Sequence, residues 1–349
     1  MTTNASLDAK VPGLEPRKPR QISTTLAGPD RTFKRLTLAS GVVVLLIMAG
    51  VGLFLTGHAL PALADAKGKF LTTAAWEPES HNFGIAALLT GTVLIGIVAI
   101  CVAIPLSLGM ALYISDYAPL RLKRTLISLI DLMAAVPSII YGLLGAYFLT
   151  QHVTGVARWL ATYLGWVRIP WFPHFLRPFA VDGFDVNDPL GTLTVFTKST
   201  FIAGIIVGLM VTPIATSIMR EVFTRAPVGE REGALALGAT RWGMIRSVVL
   251  PFGMGGIIGG TMLGLGRALG ETIAVYLIIS PVFVIQGHVL QAGTSSVSSL
   301  IALRFGDSSS IGISALMAAG LSLFLLTLVI NFGAAMIVAR SRSGATSDV

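Results

Sequence analysis

The chain of 349 residues is 54% hydrophobic and only 12% charged, with a mean hydropathy of +0.79. Ordinary globular domains carry about 25% charged residues, so this composition excludes a water-soluble enzyme. The one cysteine, Cys101, excludes an intramolecular disulfide framework and a thiolate metal cluster, and none of the five histidines has the spacing of helical metal ligands. The net charge of +8 suits nucleic acid or anionic lipid, and the positions of the charges decide between them.

The first 35 residues are polar and basic without an apolar period, and we predict a disordered cytoplasmic tail there. Long apolar runs then predict an all-α integral membrane protein with six transmembrane helices. These predicted spans cover residues 36–57, 84–114, 125–150, 200–219, 255–280 and 311–339. They form one transmembrane domain, residues 36–340, followed by a short cytoplasmic tail at 341–349.

Two further features qualify these spans. Pro105 and Pro137 lie within the second and third spans and are expected to kink them, which membrane helices tolerate. The long loop at 151–199 is rich in aromatic residues, a composition typical of a segment along the membrane interface. Its aromatic residues include Trp159, Tyr163, Trp166, Trp171, Phe172 and Phe175.

The distribution of charge predicts the orientation. Seventeen of the 25 Lys and Arg residues fall on the same side as the N-terminus, seven fall in the opposite loops, and Arg267 lies within a span. The opposite loops also hold seven acidic residues, so the positive excess is confined to one side. By the positive-inside rule both termini are expected in the cytoplasm. This topology accounts for the basic charge, and no nucleic acid partner is expected.

The inner loop at 220–254 has a pattern that predicts a structured segment as well as a connection between two spans. It contains Glu230–Pro251, EREGALALGATRWGMIRSVVLP, in which a short helical pattern ends at Gly238, a residue typical of helix C-caps. A second short apolar pattern begins at Trp242 and runs to Pro251. Two short helices joined at a glycine predict a compact surface that fits a groove on a partner. The alternative is an amphipathic connector lying on the lipid surface.

Three ionisable residues fall within predicted spans: Asp131, Arg267 and Glu271. A lone charge at the bilayer centre costs about 3 kcal/mol on insertion scales, so each needs a partner or a polar pathway. Arg267 and Glu271 are four residues apart and are predicted to pair on one helical face, beside Thr272. This pair is either a structural ion pair or a substrate site, in which the Arg267 guanidinium binds a tetrahedral oxyanion and Glu271 orients it. Arg220 is predicted to be an interfacial anchor or to receive the anion at the inner exit.

The inner loop carries a resemblance to a known family. The residues that carry it are Glu232, Gly233, Ala234, Gly238, Val248, Leu250 and Pro251. Their spacing resembles the EAA motif of binding-protein-dependent ABC importer permeases, with Gly233 in place of an alanine and Val248 in place of an isoleucine. The resemblance implies a type I importer core in which this loop docks on an ATPase. The coupling residues that it implies are Arg231, Glu232, Gly233, Ala234, Gly238 and Pro251.

Further elements narrow the resemblance to the permeases of phosphate-specific importers, the PstC family. They are Trp76-Glu77-Pro78, Phe83-Gly84, Gly91-Thr92 and the sequence GLGRALGET at 264–272. The resemblance implies inorganic phosphate as substrate and a location in the bacterial inner membrane. It also implies three partners, namely a second permease subunit (PstA-like), a cytoplasmic ATPase dimer (PstB-like) and an extracytoplasmic phosphate-binding protein (PstS-like).

The sequence contains no G-x-x-x-x-G-K-[ST] loop, so we expect a non-catalytic subunit without a cofactor whose energy comes from a partner ATPase. Three alternatives remain open. One is a sister permease for phosphate or a permease for sulfate or molybdate. Another is an ion-driven secondary transporter with Glu271 or Asp131 as the relay, and the third is a membrane scaffold or sensor. Outside the relay alternative, Asp131 is expected to be a near-interface anchor or a partner for a neighbouring helix.

Overall fold

The computed structural model describes residues 28–167, 178–182 and 193–342. Within these residues five helices are long and apolar enough to cross a membrane, and a bent helix pair makes a sixth if it counts as one span. The five are Gly28–Asp65, Ala86–Tyr117, Thr200–Thr224, Arg241–Gly270 and Ser310–Val338, and the bent pair is Leu120–Ala135 with Ser138–Leu164. The predicted all-α, six-span architecture is confirmed.

The described elements are numbered in chain order. The helices are α1 (Gly28–Asp65), α2 (Ala86–Leu112), α3 (Leu120–Ala135), α4 (Ser138–Leu143), α5 (Thr150–Leu164), α6 (Leu193–Phe196), α7 (Thr200–Thr224), α8 (Val228–Ala236), α9 (Arg241–Met244), α10 (Leu250–Gly270), α11 (Ile273–Ile278), α12 (Val297–Arg304) and α13 (Ser310–Arg342). Wider π turns follow α2, α4 and α9, at Tyr113–Tyr117, Leu144–Leu149 and Ile245–Val249. A small antiparallel ribbon joins β1 (Trp76–Glu77) and β2 (Asn82–Phe83).

The first helix begins earlier than the predicted span. The chain forms two compact units that divide after Val51, and the described part of the first unit is the start of α1, from Gly28 onward. The rest of the predicted tail 1–35, residues 1–27, lies outside the described residues, as does 343–349 of the second predicted tail.

The sequence at the start of α1 explains its early beginning. Pro29 fixes the backbone angle φ in the first turn, where its missing N–H costs nothing. Asp30 places a negative charge at the positive end of the helix dipole. A helix therefore begins among residues whose composition alone indicated a tail.

The third predicted span, residues 125–150, is broken at Pro137. Helix α3 ends at Ala135, α4 begins at Ser138, and the two helical segments are bent by 87°. Proline drives the residue before it into an extended conformation, and Val136 accordingly has a ψ of 128°. The predicted kink is thus a sharp break that redirects the chain.

The predicted interfacial segment 151–199 begins as a helix. Helix α5 continues to Leu164 and exposes Trp159 and Tyr163, whose ring centroids lie 5.3 Å apart. Three of the other aromatic residues lie outside the described residues: Trp171, Phe172 and Phe175. Contact of this segment with a membrane interface stays a prediction.

The fifth predicted span, residues 255–280, was wrong at both ends. The helix starts at Arg241, passes through the π turn and α10, and ends at Gly270. The apolar run continues beyond Gly270, but Glu271 is extended, with φ −67° and ψ 128°, and α11 follows as a separate short helix. An apolar run predicts a segment that is shielded from water. It does not show at which residue the backbone leaves the helical conformation.

Helix α7 lies at the centre of the second unit and packs closely against α2 and α10. A Cβ atom on Gly264 would lie 2.4 Å from Val211, and one on Gly256 would lie 2.6 Å from Val222, so only glycine permits this approach of α10 to α7. Gly256 and Gly264 therefore serve the close packing of α10 against α7. The α7 side chains in this core include Ile202, Ile206, Val207 and Met210.

Candidate functional site

A helix break separates the two intramembrane charges. Arg267 lies in the last turn of α10, whereas Glu271 follows the end of that helix in an extended conformation. The prediction that both residues share one helical face was wrong, because the helix does not continue through Gly270. The described residues contain no ion pair between them.

The Arg267 side chain is exposed on the surface of this chain. Its positive charge at the C-terminal end of α10 is favourable, because the helix dipole is negative there. Tyr141 on α4 lies within electrostatic range of the guanidinium and donates its own hydroxyl to the carbonyl of Met133 at 3.0 Å. The guanidinium fork is thus placed at a helix end and available to an anion.

Glu271 is buried and holds the backbone after the break. Its Oε1 accepts a hydrogen bond from the backbone N–H of Ala274 at 3.3 Å, which caps the first turn of α11. Its backbone carbonyl accepts a hydrogen bond of 2.7 Å from Ser298 Oγ on α12. The carboxylate therefore stabilises the start of a helix, and does not orient Arg267 by direct pairing.

A cluster of buried hydroxyls beside this break was missed by the sequence analysis. Ser296 and Ser299 form a reciprocal capping box at the start of α12. Thr92 Oγ1 accepts a hydrogen bond of 3.0 Å from the backbone N–H of Val297, which fastens α12 to α2. The signal was five hydroxyl residues among the six at 294–299, in a largely apolar chain. A buried hydroxyl needs a partner, so such a run indicates a network.

Thr272 and Arg220, the other predicted pathway residues, are placed differently from each other. Thr272 lies at the break and donates its hydroxyl to the carbonyl of Gly270 at 3.1 Å. Arg220 lies half-buried near the end of α7. Since α7 and α10 run antiparallel, with Val211 against Gly264, Arg220 lies about 18 Å along the helix axes from Arg267. The structure therefore does not bring the two arginines into one site.

The predicted inner loop 220–254 is mostly helical. Helix α7 extends to Thr224, and the second short helical pattern forms the first turns of the span that starts at Arg241. Pro251 lies exposed directly after the π turn, inside the span that starts at Arg241. Only α8 and its flanking turns stand apart from the long helices.

Gly238 ends α8 as predicted. It adopts a φ of +86°, which is favourable for glycine alone. Its N–H donates to the Leu235 carbonyl at 3.0 Å, and the N–H of Ala239 donates to the Ala234 carbonyl at 3.1 Å. These two bonds form a Schellman motif, which satisfies the last carbonyls of the helix. The predicted short helix ending at a glycine is confirmed.

The outward side of α8 and α9 is apolar and unpaired within this chain. Leu237 is 91% exposed, and large exposed side chains flank it; we call these four residues the loop surface: Val228, Leu235, Leu237 and Trp242. Glu232 and Gly233 are also exposed on α8, and a Cβ on Gly233 would meet no atom within 4 Å. Exposed apolar side chains gain free energy when a partner covers them.

Arg231, predicted with the coupling residues, turns toward this chain. Its Nη1 donates to Asp116 Oδ1 at 2.6 Å, and its Nη2 donates to the carbonyl of Phe223. Ser115 Oγ donates to the other oxygen of Asp116 at 2.6 Å. The side chains of Arg231 and Asp116 are 19% and 3% exposed, so the ion pair lies largely out of solvent.

The motif Trp76-Glu77-Pro78 forms part of the β-ribbon. Trp76 is buried and packs edge-on against Phe83, with ring centroids 6.3 Å apart. Beside the ribbon lies a cavity of about 440 Å³, which Arg304 at the end of α12 and Asp307 in the following turn also line. Within the described residues, no group of three His, Cys, Asp or Glu side chains has the arrangement of a metal site.

Comparison with known proteins places these features in context. Residues 103–343 match the family described as "binding-protein-dependent transport system inner membrane component". The chain is 36% identical over 319 residues to the phosphate transport system permease protein PstC 2 of Mycobacterium bovis, which covers 90% of this chain and 93% of that protein. It is 37% identical over 319 residues to the phosphate transport system permease protein PstC of Mycobacterium leprae, with the same coverage. Among solved structures it is similar to a bacterial ABC transporter involved in the import of alginate, with 17% identity, 89% and 99% coverage of the two chains and a TM-score of 0.48.

Proposed function

Because the chain belongs to the family of binding-protein-dependent transport system inner membrane components, we propose that it is a permease subunit of an ATP-driven importer of inorganic phosphate. The assignment of phosphate as the substrate rests on the similarity, over nine-tenths of the chain, to two mycobacterial phosphate transport permeases. The orientation follows from the charge distribution, with both termini in the cytoplasm of a bacterial cell and the membrane domain in the inner membrane.

The exposed guanidinium of Arg267 is the proposed phosphate ligand. A planar guanidinium binds two oxygens of a tetrahedral oxyanion at once, and Arg keeps its charge at every physiological pH. The surface that exposes Arg267 would face a second permease subunit, so that the pathway lies between the two subunits. Thr272 lies beside this position, and Arg220 is a second cationic contact nearer the cytoplasm.

The loop surface on α8 and α9 is the proposed docking site for a cytoplasmic ATPase dimer. This assignment is supported by its exposed apolar side chains and by the inner position that the charge distribution predicts for the loop. Since the sequence contains no phosphate-binding loop for ATP, hydrolysis takes place in the partner and this chain performs no covalent chemistry. The β-ribbon on the opposite side is the corresponding site for an extracytoplasmic phosphate-binding protein.

Transport by reconstituted proteoliposomes tests this proposal. The vesicles contain this chain with a second permease subunit, the ATPase and the binding protein, and uptake of radiolabelled phosphate is measured with and without ATP inside. We expect ATP-dependent uptake that a tenfold excess of sulfate or molybdate leaves unchanged. If excess sulfate inhibited uptake as strongly as excess unlabelled phosphate, the importer would be assigned to another oxyanion. Uptake driven by a proton or sodium gradient without the ATPase would overturn the ABC importer assignment.

A further inference from the structure

We infer that the buried Asp116–Arg231 ion pair is the strut that transmits movement of α8 to the membrane helices α2 and α7. This inference rests on the proposed function, because it concerns how an ATPase docked on the loop surface acts on the spans. It makes Arg231 a positioning residue that acts through this chain, instead of a contact to the ATPase.

The strut is built from two charged side chains that are almost closed off from solvent. Asp116 lies in the π turn after α2, where one carboxylate oxygen accepts from Arg231 and the other from Ser115, both at 2.6 Å. A charge-assisted hydrogen bond of this length is directional, so a displacement of Arg231 displaces Asp116. The pair therefore connects α8 to the end of α2.

The same guanidinium also contacts α7. The second terminal nitrogen of Arg231 donates to the backbone carbonyl of Phe223, in the last turn of that helix. The ring of Phe223 is fully buried in a cluster with Met219, Ile245 and Val249. One side chain thus connects α8 with the ends of two neighbouring membrane helices. Only arginine offers two donors in this fixed geometry.

Apolar packing provides little alternative connection. Helix α8 has no buried residue, and Ala234 is its one partly buried side chain against the neighbouring core cluster. A short helix held by so little apolar contact would move independently of the spans. The buried pair supplies the connection that the apolar contacts do not.

An exposed pair in the same region provides a comparison. Glu221 and Arg225 form an ion pair four residues apart at the end of α7, but their side chains are 60% and 71% exposed. Exposed pairs of this kind contribute little to stability. Removing one partner of a buried pair, in contrast, leaves an unpaired charge out of solvent. Comparing variants of the two pairs therefore separates the effect of breaking a buried ion pair from the effect of removing a charge.

A double-mutant cycle in the complete importer tests the inference. The variants are Asp116→Asn, Arg231→Gln and their combination, with Glu221→Gln as the matched control. Phosphate uptake and ATP hydrolysis are measured in parallel, together with the amount of ATPase that co-purifies. We expect each single variant to keep the ATPase bound while the phosphate imported per ATP hydrolysed falls at least tenfold. The double variant should be no worse than either single one, because the two residues act as a unit.

The outcomes are decisive in each direction. Unchanged coupling in the single variants overturns the inference, and so do additive losses or loss of the ATPase from the complex. If the permease variants themselves fail to fold in the membrane, Arg231→Lys keeps the charge but loses the planar fork that reaches both acceptors, and it should give an intermediate coupling ratio. Wild-type coupling in Arg231→Lys also overturns the strut. Failure of the wild-type complex to import phosphate with ATP would instead refute the proposed function.

Discussion

Ser298 Oγ donates a hydrogen bond of 2.7 Å to the backbone carbonyl of Glu271, at the point where the fifth span leaves its helix. The donor lies 27 residues further along the chain, at the start of α12. Arg304, the last residue of α12, lines the cavity beside the β-ribbon. This hydrogen bond thus joins the helix break near Arg267 to α12, whose last residue lies beside the β-ribbon.

Replacing Ser298 by alanine should weaken this fastening. We expect a loss of about 1 kcal/mol in stability, since one buried carbonyl loses its donor, together with reduced phosphate uptake. Thermal denaturation in detergent and uptake in proteoliposomes measure the two effects. Ser322→Ala is the control, because its hydroxyl donates to the Ala318 carbonyl within its own helix. Equal stability of the two variants would contradict the role of this bond.

Two substitutions at Glu271 separate its charge from its capping role. Glu271→Gln keeps an oxygen that accepts from Ala274, whereas Glu271→Ala removes the cap and should cost about 1 kcal/mol of stability. We expect the glutamine variant to denature at the wild-type temperature, and the alanine variant to denature lower. If uptake by the glutamine variant equals that of the wild type, the negative charge has no part in transport.

Arg267→Gln should abolish phosphate uptake and leave the ATPase bound. Two charge-assisted hydrogen bonds to the anion contribute about 3 kcal/mol, so a fall of about a hundredfold in uptake is expected. Arg246→Gln, an exposed arginine on the same long helix, is the matched control and should transport normally. Normal uptake by the Arg267 variant would dismiss this side chain as the phosphate ligand.

Gly238→Val should disrupt the loop surface. Valine is strained at the left-handed φ of Gly238, at a cost of about 1–3 kcal/mol, and the Schellman motif would open. Co-purification of the ATPase with the permease measures the result, and we expect its loss. Gly229→Ala is the control, because Gly229 also lies in α8 and its Cβ would meet open space. Retention of the ATPase by the valine variant would show that the motif is not required for docking.

Gly91→Ala tests the close contact between α2 and the hydroxyl cluster. The added Cβ would lie 2.1 Å from the carbonyl oxygen of Ser295, so the loop must shift, at a cost of about 1–3 kcal/mol. The thermal midpoint in detergent should fall accordingly. Gly109→Ala, on the same helix with nothing within 4 Å, should remain at the wild-type midpoint or above it. A matching pair of midpoints would contradict the contact.

The long helices could be predicted because their signal is local. The apolar runs at 84–114 and 200–219 became α2 and α7 within a few residues, since bilayer-length apolar segments have few alternatives to a helix. Gly238 could likewise be predicted as a helix end, because its effect depends on its own backbone conformation.

The break at Glu271 could not be predicted, because the apolar sequence on both sides of it favours a continuous helix. What stabilises the extended conformation is a carboxylate cap and a hydroxyl from a distant helix. The ion pair of Arg231 could not be predicted either, because Asp116 is 115 residues away in the sequence. Long-range polar contacts leave no periodic pattern.

The π turn at Ile245–Val249 has a consequence for the direction in which Arg267 points. A π turn accommodates one residue more than the α-helical turn that it replaces. Deleting one residue there would leave the helix continuous, yet would rotate everything after it by about 100° about the helix axis. Arg267 would then point to a different neighbour although no side chain near it had changed. The direction in which the Arg267 guanidinium points therefore depends on the number of residues between Arg267 and α9 as well as on the identity of those residues.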